Sequence, residues 1–318
     1  MKTLARCVKA GGVGRVLVMP NLSPPITSSH QAESYLNELK ECAPETEFLM
    51  TLFLSESLTM EDLEIAKSKG VTGVKSYPKG VTTGSSTGVE HYEFYYPIFA
   101  KMTEIGLVLH LHGEMPGECV MTAEESFLKE LKKIHSAFPN LKIVLEHVSS
   151  AAGVEAVKGC GETVAATITA HHLDLTIDEV VGNPLNFCKP VAKYENDRSA
   201  LRQVVADGHS RFFLGSDSAP HPVGKKVLCG CAAAGVFTQP FLLAYLADTL
   251  DSLGCLHRLK DFACVFGAKF FGLKINQQDI VTLVKEDFII PNEFICESGD
   301  IVIPYRHNQT LKWRIQLS

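Results

Sequence analysis

Short runs of apolar residues recur along the chain, separated by segments with the spacing of amphipathic helices. The runs are Arg15–Met19, Phe48–Leu54, Val71–Ser76, Leu107–Leu111, Lys142–Leu145, Val164–Thr169 and Arg211–Gly215. Near-continuous apolarity rich in Val, Ile, Leu and Phe is what a strand buried on both faces requires. Between the runs, the pattern predicts helices over Gln31–Cys42, Thr59–Lys69, His91–Ile105, Ala123–Ala137 and Arg198–Asp207, several of them opening at a polar cap such as Thr59 or Thr122. After Asp217 come a loop (Ser218–Gly235) and helical stretches over Phe237–Leu250 and Leu259–Gly272, then a tail rich in β-formers.

Strand–helix alternation implies a parallel sheet, either open or closed as a barrel. The residues that finish the strands favour closure: Asn21, Lys75, His112, His147, His171 and Asp217 are polar or ionisable, and a barrel collects its C-terminal strand ends around one active-site mouth. A nucleotide-binding open sheet would want a Gly-rich turn after its first strand, where this chain has Asn21-Leu-Ser-Pro-Pro25. Only seven strand runs are visible, and a helix-like segment precedes them. The prediction is therefore a (β/α)8 TIM-type barrel lacking its first strand, occupying residues 1–287, with a β-rich appendage over 288–318.

Composition narrows the class. In 318 residues, 46% apolar and 21% charged, there is ample material for a large core, and a net charge of −6 argues against a nucleic-acid binder. No apolar run reaches the ~18–20 residues that span a bilayer. The N-terminal stretch lacks the long apolar centre of a secretory signal. Ten cysteines scattered through apolar runs predict reduced thiols and a cytoplasmic chain.

Lys75, His112, His147 and Asp217 form a donor set suited to zinc. A lysine at the end of a buried strand must find a partner, lose its proton or be modified. One such modification, reaction of the neutral amine with carbon dioxide, gives a carbamate that can bridge two metal ions. His110 shares a face with His112 and reads either as a core residue or as one that supports the ligands from behind.

The segments around these residues are Met19-Pro-Asn-Leu22, Val74-Lys-Ser-Tyr-Pro78, Leu109-His-Leu-His-Gly-Glu114, Val144-Leu-Glu-His-Val148, Thr167-Ile-Thr-Ala-His-His172, Phe213-Leu-Gly-Ser-Asp-Ser-Ala-Pro-His221 and Cys229-Gly-Cys231. Together and in this order they resemble the single-function microbial dihydroorotases of the amidohydrolase superfamily, from Arg15 to Trp313. The resemblance implies two zinc ions bridged by a carboxylated Lys75, with His112 and His147 on the more exposed zinc. Asp217 would ligate the buried zinc and serve as general acid and base for a metal-activated hydroxide. That chemistry interconverts N-carbamoyl-L-aspartate and L-dihydroorotate in pyrimidine synthesis. Asn21 and His221 would hold the substrate carboxylate, and the backbone around Lys189 and around Ala232 and Ala233 would read the ring amides. The Gly/Ser/Thr-rich stretch 78–88 would be a lid, with Thr82 and Thr83 covering a small-molecule substrate. His171 and His172 inherit no ligand role, and a homodimer is compatible with this reading.

One motif of the family has no counterpart in these residues. Its first strand carries His-x-His-x-Arg, two ligands of the buried zinc and an arginine for the substrate carboxylate, and no such segment occurs here. Two expectations follow: a dihydroorotase whose buried metal site is compromised in this chain, or a non-catalytic or weakly active relative that associates with a full-length partner.

Overall fold

The computed structural model describes residues 2–316 apart from Thr83, 229–231, Asn276 and Gln278. All seven expected strands form: β1 (Arg15–Val18), β2 (Glu47–Phe53), β3 (Gly73–Ser76), β4 (Val108–His112), β5 (Ile143–Glu146), β6 (Val164–Ile168) and β7 (Phe212–Leu214). Their order in the sheet follows the chain, and the registered pairs from β1 to β6 are parallel. Helices alternate with them: α1 (Lys2–Ala10) before β1, then α2 (Ser29–Cys42), α3 (Met60–Ser68), α4 (Tyr96–Ile105), α5 (Ala123–Ala137), α6 (Ala151–Gly159), α7 (Ile177–Val180) and α8 (Glu195–Ala206). Beyond β7 lie α9 (Leu242–Ser252), α10 (Phe266–Phe271), and strands β8 (Thr282–Ile289), β9 (Phe294–Ile295), β10 (Ile301–Val302) and β11 (Thr310–Gln316).

Two compact units divide the chain: Arg15–Thr167, and Met1–Gly14 with Ile168–Ser318. In the first, Leu52, Val74, Leu109, Leu111, Ile143, Val144 and Leu145 are fully buried although they alternate between sheet faces, as expected of a parallel sheet covered on both sides. Gly73 allows tight packing here, since a Cβ at that position would lie 2.5 Å from the Val108 carbonyl oxygen and 2.7 Å from His110 Nε2. In the second unit, β8 and β11 pair antiparallel, and β9 pairs with β10. Tyr245 donates to the Tyr305 carbonyl, and the Tyr305 hydroxyl donates to Asp174 at 2.7 Å, tying the tail to the segment after β6.

Three local expectations change. Thr59 caps α3 as expected, accepting from the Asp62 amide, but Thr122 makes no cap contact because its backbone is already near-helical. The helix expected from His91 begins at Tyr96; residues 92–95 form a 3-10 turn, and Pro97 sits in the first turn, where its missing N–H is no loss. Helix α6 was not foreseen, because Ala-Ala-Gly carries no amphipathic period; Ser150 caps it by accepting from Gly153.

Buried Glu124, in the first turn of α5, accepts from the amides and hydroxyls of both Ser149 and Ser150, which follow the end of β5. Glu124→Ala strands two buried amide donors, each costing roughly 1–3 kcal/mol. The variant should lower unfolding free energy by about 3 kcal/mol or more in a urea titration with an unchanged slope. A loss below about 1 kcal/mol would show that the two serines find other partners.

Candidate functional site

In the unit Arg15–Thr167, the ends of β3, β4 and β5 carry Lys75, His112 and His147, only 2%, 1% and 6% exposed. Lys75 Nζ lies 5.2 Å from the centre of the Tyr77 ring, which is 6.2 Å from the ring of His112. His112 Nδ1 and His147 Nε2 are 3.0 Å apart. Tetrahedral zinc with Zn–N bonds of ~2.0–2.1 Å holds two nitrogens about 3.3 Å apart, so the two imidazoles fit a shared metal with little movement. The other nitrogen of His112 lies 2.7 Å from Glu114 Oε2, the carboxylate–histidine arrangement that orients metal-binding imidazoles.

A second carboxylate supports the group from behind. Glu146 is bound to His110 Nδ1 at 2.6 Å and accepts from the Thr167 hydroxyl at 2.6 Å. Burial alone would raise its pKa, but the His110 bond and charge, the charge of Lys75 and the Thr167 hydroxyl together hold it below the ordinary value. Thr167 Oγ1 in turn accepts the His147 amide at 2.7 Å. His147 has φ +45° and Asp217 φ +40°, a left-handed conformation uncommon outside glycine, although His and Asp adopt it more readily than most residues. His110 is the core residue the sequence suggested.

Asn21 and the 78–88 segment meet within the same unit. The segment is closed at its base by the Pro78–Val89 bridge and inside by Ser85, whose hydroxyl accepts from the Thr82 amide and donates to the Thr82 carbonyl. Gly84, at φ +72°, lies so close to the Asn21 carbonyl that a Cβ would come within 3.1 Å of its oxygen. Thr83 lies outside the described residues.

The unit containing Ile168–Ser318 carries Asp217, His221, Lys189, Ala232 and Ala233. Beside Asp217, the Ser218 hydroxyl accepts the amides of Thr238 and Gln239 at 3.1 and 3.0 Å, which fixes the chain after β7. His221 Nε2 lies 2.9 Å from the Ala234 carbonyl oxygen and donates to it. Burial, and the cations of Lys226 and Lys225, depress the pKa of His221 despite that bond. In this neutral tautomer Nδ1 is an acceptor, so holding a carboxylate through Nδ1 would require a second proton on the ring. The backbone of Ala233 is already engaged, its amide by the Lys225 carbonyl and its carbonyl by Lys226.

Lys226 is the residue that sequence reasoning missed. Its buried ammonium donates to the carbonyls of Phe187, Ala233 and Gly235 at 2.9, 2.9 and 2.7 Å, and so joins the segment before Lys189 to the segment after Ala232. Backbone acceptors leave no signature in sequence. Cys229-Gly230-Cys231 lies outside the described residues.

Comparisons with known proteins agree on one family. No family model matches the chain. A dihydroorotase of Mycosarcoma maydis is 50% identical over 302 residues, covering 85% of this chain and 76% of that protein. A probable dihydroorotase of Schizosaccharomyces pombe is 48% identical over 317 residues, covering 98% and 93%. The chain belongs to the dihydroorotase family. Its fold agrees with a crystal structure of Saccharomyces cerevisiae dihydroorotase in complex with 5-fluoroorotic acid, at TM-score 0.94 and 40% identity over 99% of this chain and 93% of that one. An L-hydantoinase from Arthrobacter aurescens shares the fold alone, at TM-score 0.81 and 18% identity, covering 98% of this chain and 76% of that one. The fold is thus the TIM-type (β/α) fold of cyclic amidohydrolases, with seven parallel strands here.

Lys226 titrates in an accessible range. Burial lowers its pKa from 10.5 to about 8, the nearby Cys188 opposing this only in part. Between those two values the unfolded chain holds a proton that the folded chain has lost, so this group's contribution to stability rises with pH across the window. The melting temperature of the wild type minus that of Lys226→Met should therefore increase between about pH 7.5 and 9.5. A difference that stays flat over this range would mean that the ammonium stays charged in the fold.

Proposed function

We propose that the chain is a zinc-dependent dihydroorotase that interconverts N-carbamoyl-L-aspartate and L-dihydroorotate in pyrimidine synthesis. The observation that carries this reading is the pair of buried imidazoles of His112 and His147, 3.0 Å apart, on strands that follow the buried Lys75. Bound zinc would lower the pKa of water towards neutrality and so provide a nucleophile at physiological pH.

The roles of the chain's own residues follow from their chemistry and from the family motifs. Lys75, as its carbamate, becomes an anion able to hold metal, which answers the problem of burying an ammonium in a strand. His112 and His147 supply neutral nitrogens, with Glu114 fixing the orientation of the first. Asp217 moves the proton between the attacking water and the leaving ring nitrogen. Asn21 and His221 would hold the substrate carboxylate, His221 as its doubly protonated ring, and the backbone at Lys189 and Ala232 would read the ring amides, beside Ala233, whose own amide and carbonyl are engaged by Lys225 and Lys226. Thr82 and Thr83 cover the substrate. Of the family's buried-metal ligands these 318 residues contain Asp217 and Lys75 but no His-x-His-x-Arg segment. A non-catalytic role gains no support from the relatives, which are named as dihydroorotases. The described cysteines are all free thiols, and no described helix is long and apolar enough to cross a membrane, which supports a cytoplasmic setting.

Protein purified without chelator should carry zinc, and His147→Ala should bind it ~10–100-fold or more weakly, by elemental analysis after dialysis. Asp217→Asn should lower kcat for dihydroorotate hydrolysis and carbamoyl-aspartate cyclisation by ~10²–10⁴-fold. Zinc content indifferent to His147 would remove the ligand assignment, and wild-type turnover in Asp217→Asn would remove the proton-transfer role.

The lid has its own test. Thr82→Ala with Thr83→Ala should reduce turnover by at least ~10-fold, because closure excludes water from the reaction, and should leave zinc content unchanged. Unchanged turnover would leave the segment a surface loop.

A further inference from the structure

His171 follows β6 and is completely buried, yet neither of its ring nitrogens has a hydrogen-bond partner. Burial first, then the neighbouring His172 and Lys226, push its pKa far below the ordinary value, so the ring is neutral. A bare polar atom in a core is costly unless something binds it. Two other potential ligands stand beside it. The rings of His171 and His172 are 4.7 Å apart, and Cys188, also fully buried, has Sγ 3.8 Å from His172 Nε2. One ligand atom from each of the three lies within 4.8 Å of the others.

Charge and coordination number decide what the group can hold. His172 is committed to the fold: Nε2 donates to the Pro190 carbonyl at 2.9 Å, and Nδ1 pairs with the Thr169 hydroxyl at 2.8 Å. The dominant donors are thus His171 nitrogen and Cys188 sulfur, a set that selects soft ions such as Cu⁺ or borderline Zn²⁺. Zinc on a single thiolate would leave a net positive charge buried near the Lys226 cation, and an uncompensated buried charge is strongly unfavourable. Monovalent copper on the same thiolate is neutral overall and accepts low coordination.

We propose that His171 and Cys188, flanked by His172, form a binding site for a monovalent soft metal ion, Cu⁺, distinct from the residues proposed to hold zinc. On binding, the Cys188 S–H proton leaves to solvent and a Cu–S bond forms. The 3.2 Å contact in which that thiol donates to the Pro190 carbonyl is given up, and copper keeps its oxidation state.

The test uses the full chain with its own metal in place, carrying Cys229→Ser and Cys231→Ser so that this thiol pair cannot compete. Cu⁺ is titrated anaerobically against the chelator bicinchoninate. The chain should withdraw a single Cu⁺ and show thiolate-to-copper absorption. Cys188→Ser and His171→Ala should each weaken that binding by at least ~10-fold, the smallest loss seen even for outer partners of metal ligands. Cys188→Ser is nearly isosteric, so an unchanged melting curve separates ligand loss from misfolding if His171→Ala fails to fold. Three results overturn the proposal: Cu⁺ affinity unchanged in Cys188→Ser, no Cu⁺ withdrawn because water satisfies His171, or Cys188-dependent binding of Zn²⁺ in preference to Cu⁺.

Discussion

Because the sheet is covered on both faces, a polar group left buried at a strand end is costly unless the protein itself matches it. The unit Arg15–Thr167 answers this demand with carboxylates. Glu146 joins His110 to Thr167, Glu114 meets His112, and Glu124 gathers the amides and hydroxyls of Ser149 and Ser150. Glu146 thereby ties β5 to β4 and to the residue before the end of β6, while Glu124 ties α5 to the turn after β5. The same bonds that satisfy buried charge also aim the imidazoles. At Glu146 and Glu114, stability and the orientation of the imidazoles therefore rest on the same bonds.

Of the four described residues other than glycine with positive φ, Arg306 and Asn308 lie in the tail and the other two follow strands of the sheet. Left-handed backbone at a residue other than glycine costs of order 1–3 kcal/mol and persists only where the surroundings over-determine it. His147 and Asp217 both adopt it, each just beyond a strand of the sheet. The restraints are visible: Thr167 takes the His147 amide, and Ser218, next to Asp217, takes the amides of Thr238 and Gln239. A relaxed backbone would carry these side chains along their strands. The strained one turns them, which is a reason for a fold to retain an unfavourable conformation.

The strands were legible because burial on both faces imposes a composition that any seven-residue window reveals; all seven formed where apolar runs stood. Helix α5 was legible to the residue, from Ala123 to Ala137, since its apolar positions keep the helical period. Helix α6 was hidden because it opens on Ala-Ala-Gly and only Val154 and Val157 add bulk to its buried face, and the Thr122 cap was misread because a capping residue is identified by its backbone angles as well as by its side chain. Among the candidate site residues and their supports, Lys75, His112 and His147 could be found from their position at strand ends. Glu124 could not, because a glutamate in the first turn of a helix is ordinarily a solvated partner of the helix dipole.

Backbone recognition explains the remaining gap. A side chain that binds metal announces its chemistry in the sequence, whereas a carbonyl or amide belongs to every residue and specifies nothing until it is held in place. Lys226 does the holding in the second unit, drawing the Phe187, Ala233 and Gly235 carbonyls onto one ammonium. The cost of burying that cation is visible in its lowered pKa, and three carbonyl oxygens are what make the burial tolerable. Arginine would not substitute, since its planar fork cannot point three donors at acceptors arranged around a single nitrogen. The placement of this backbone thus rests on a single lysine, whose three carbonyl partners lie at positions that share no side-chain chemistry.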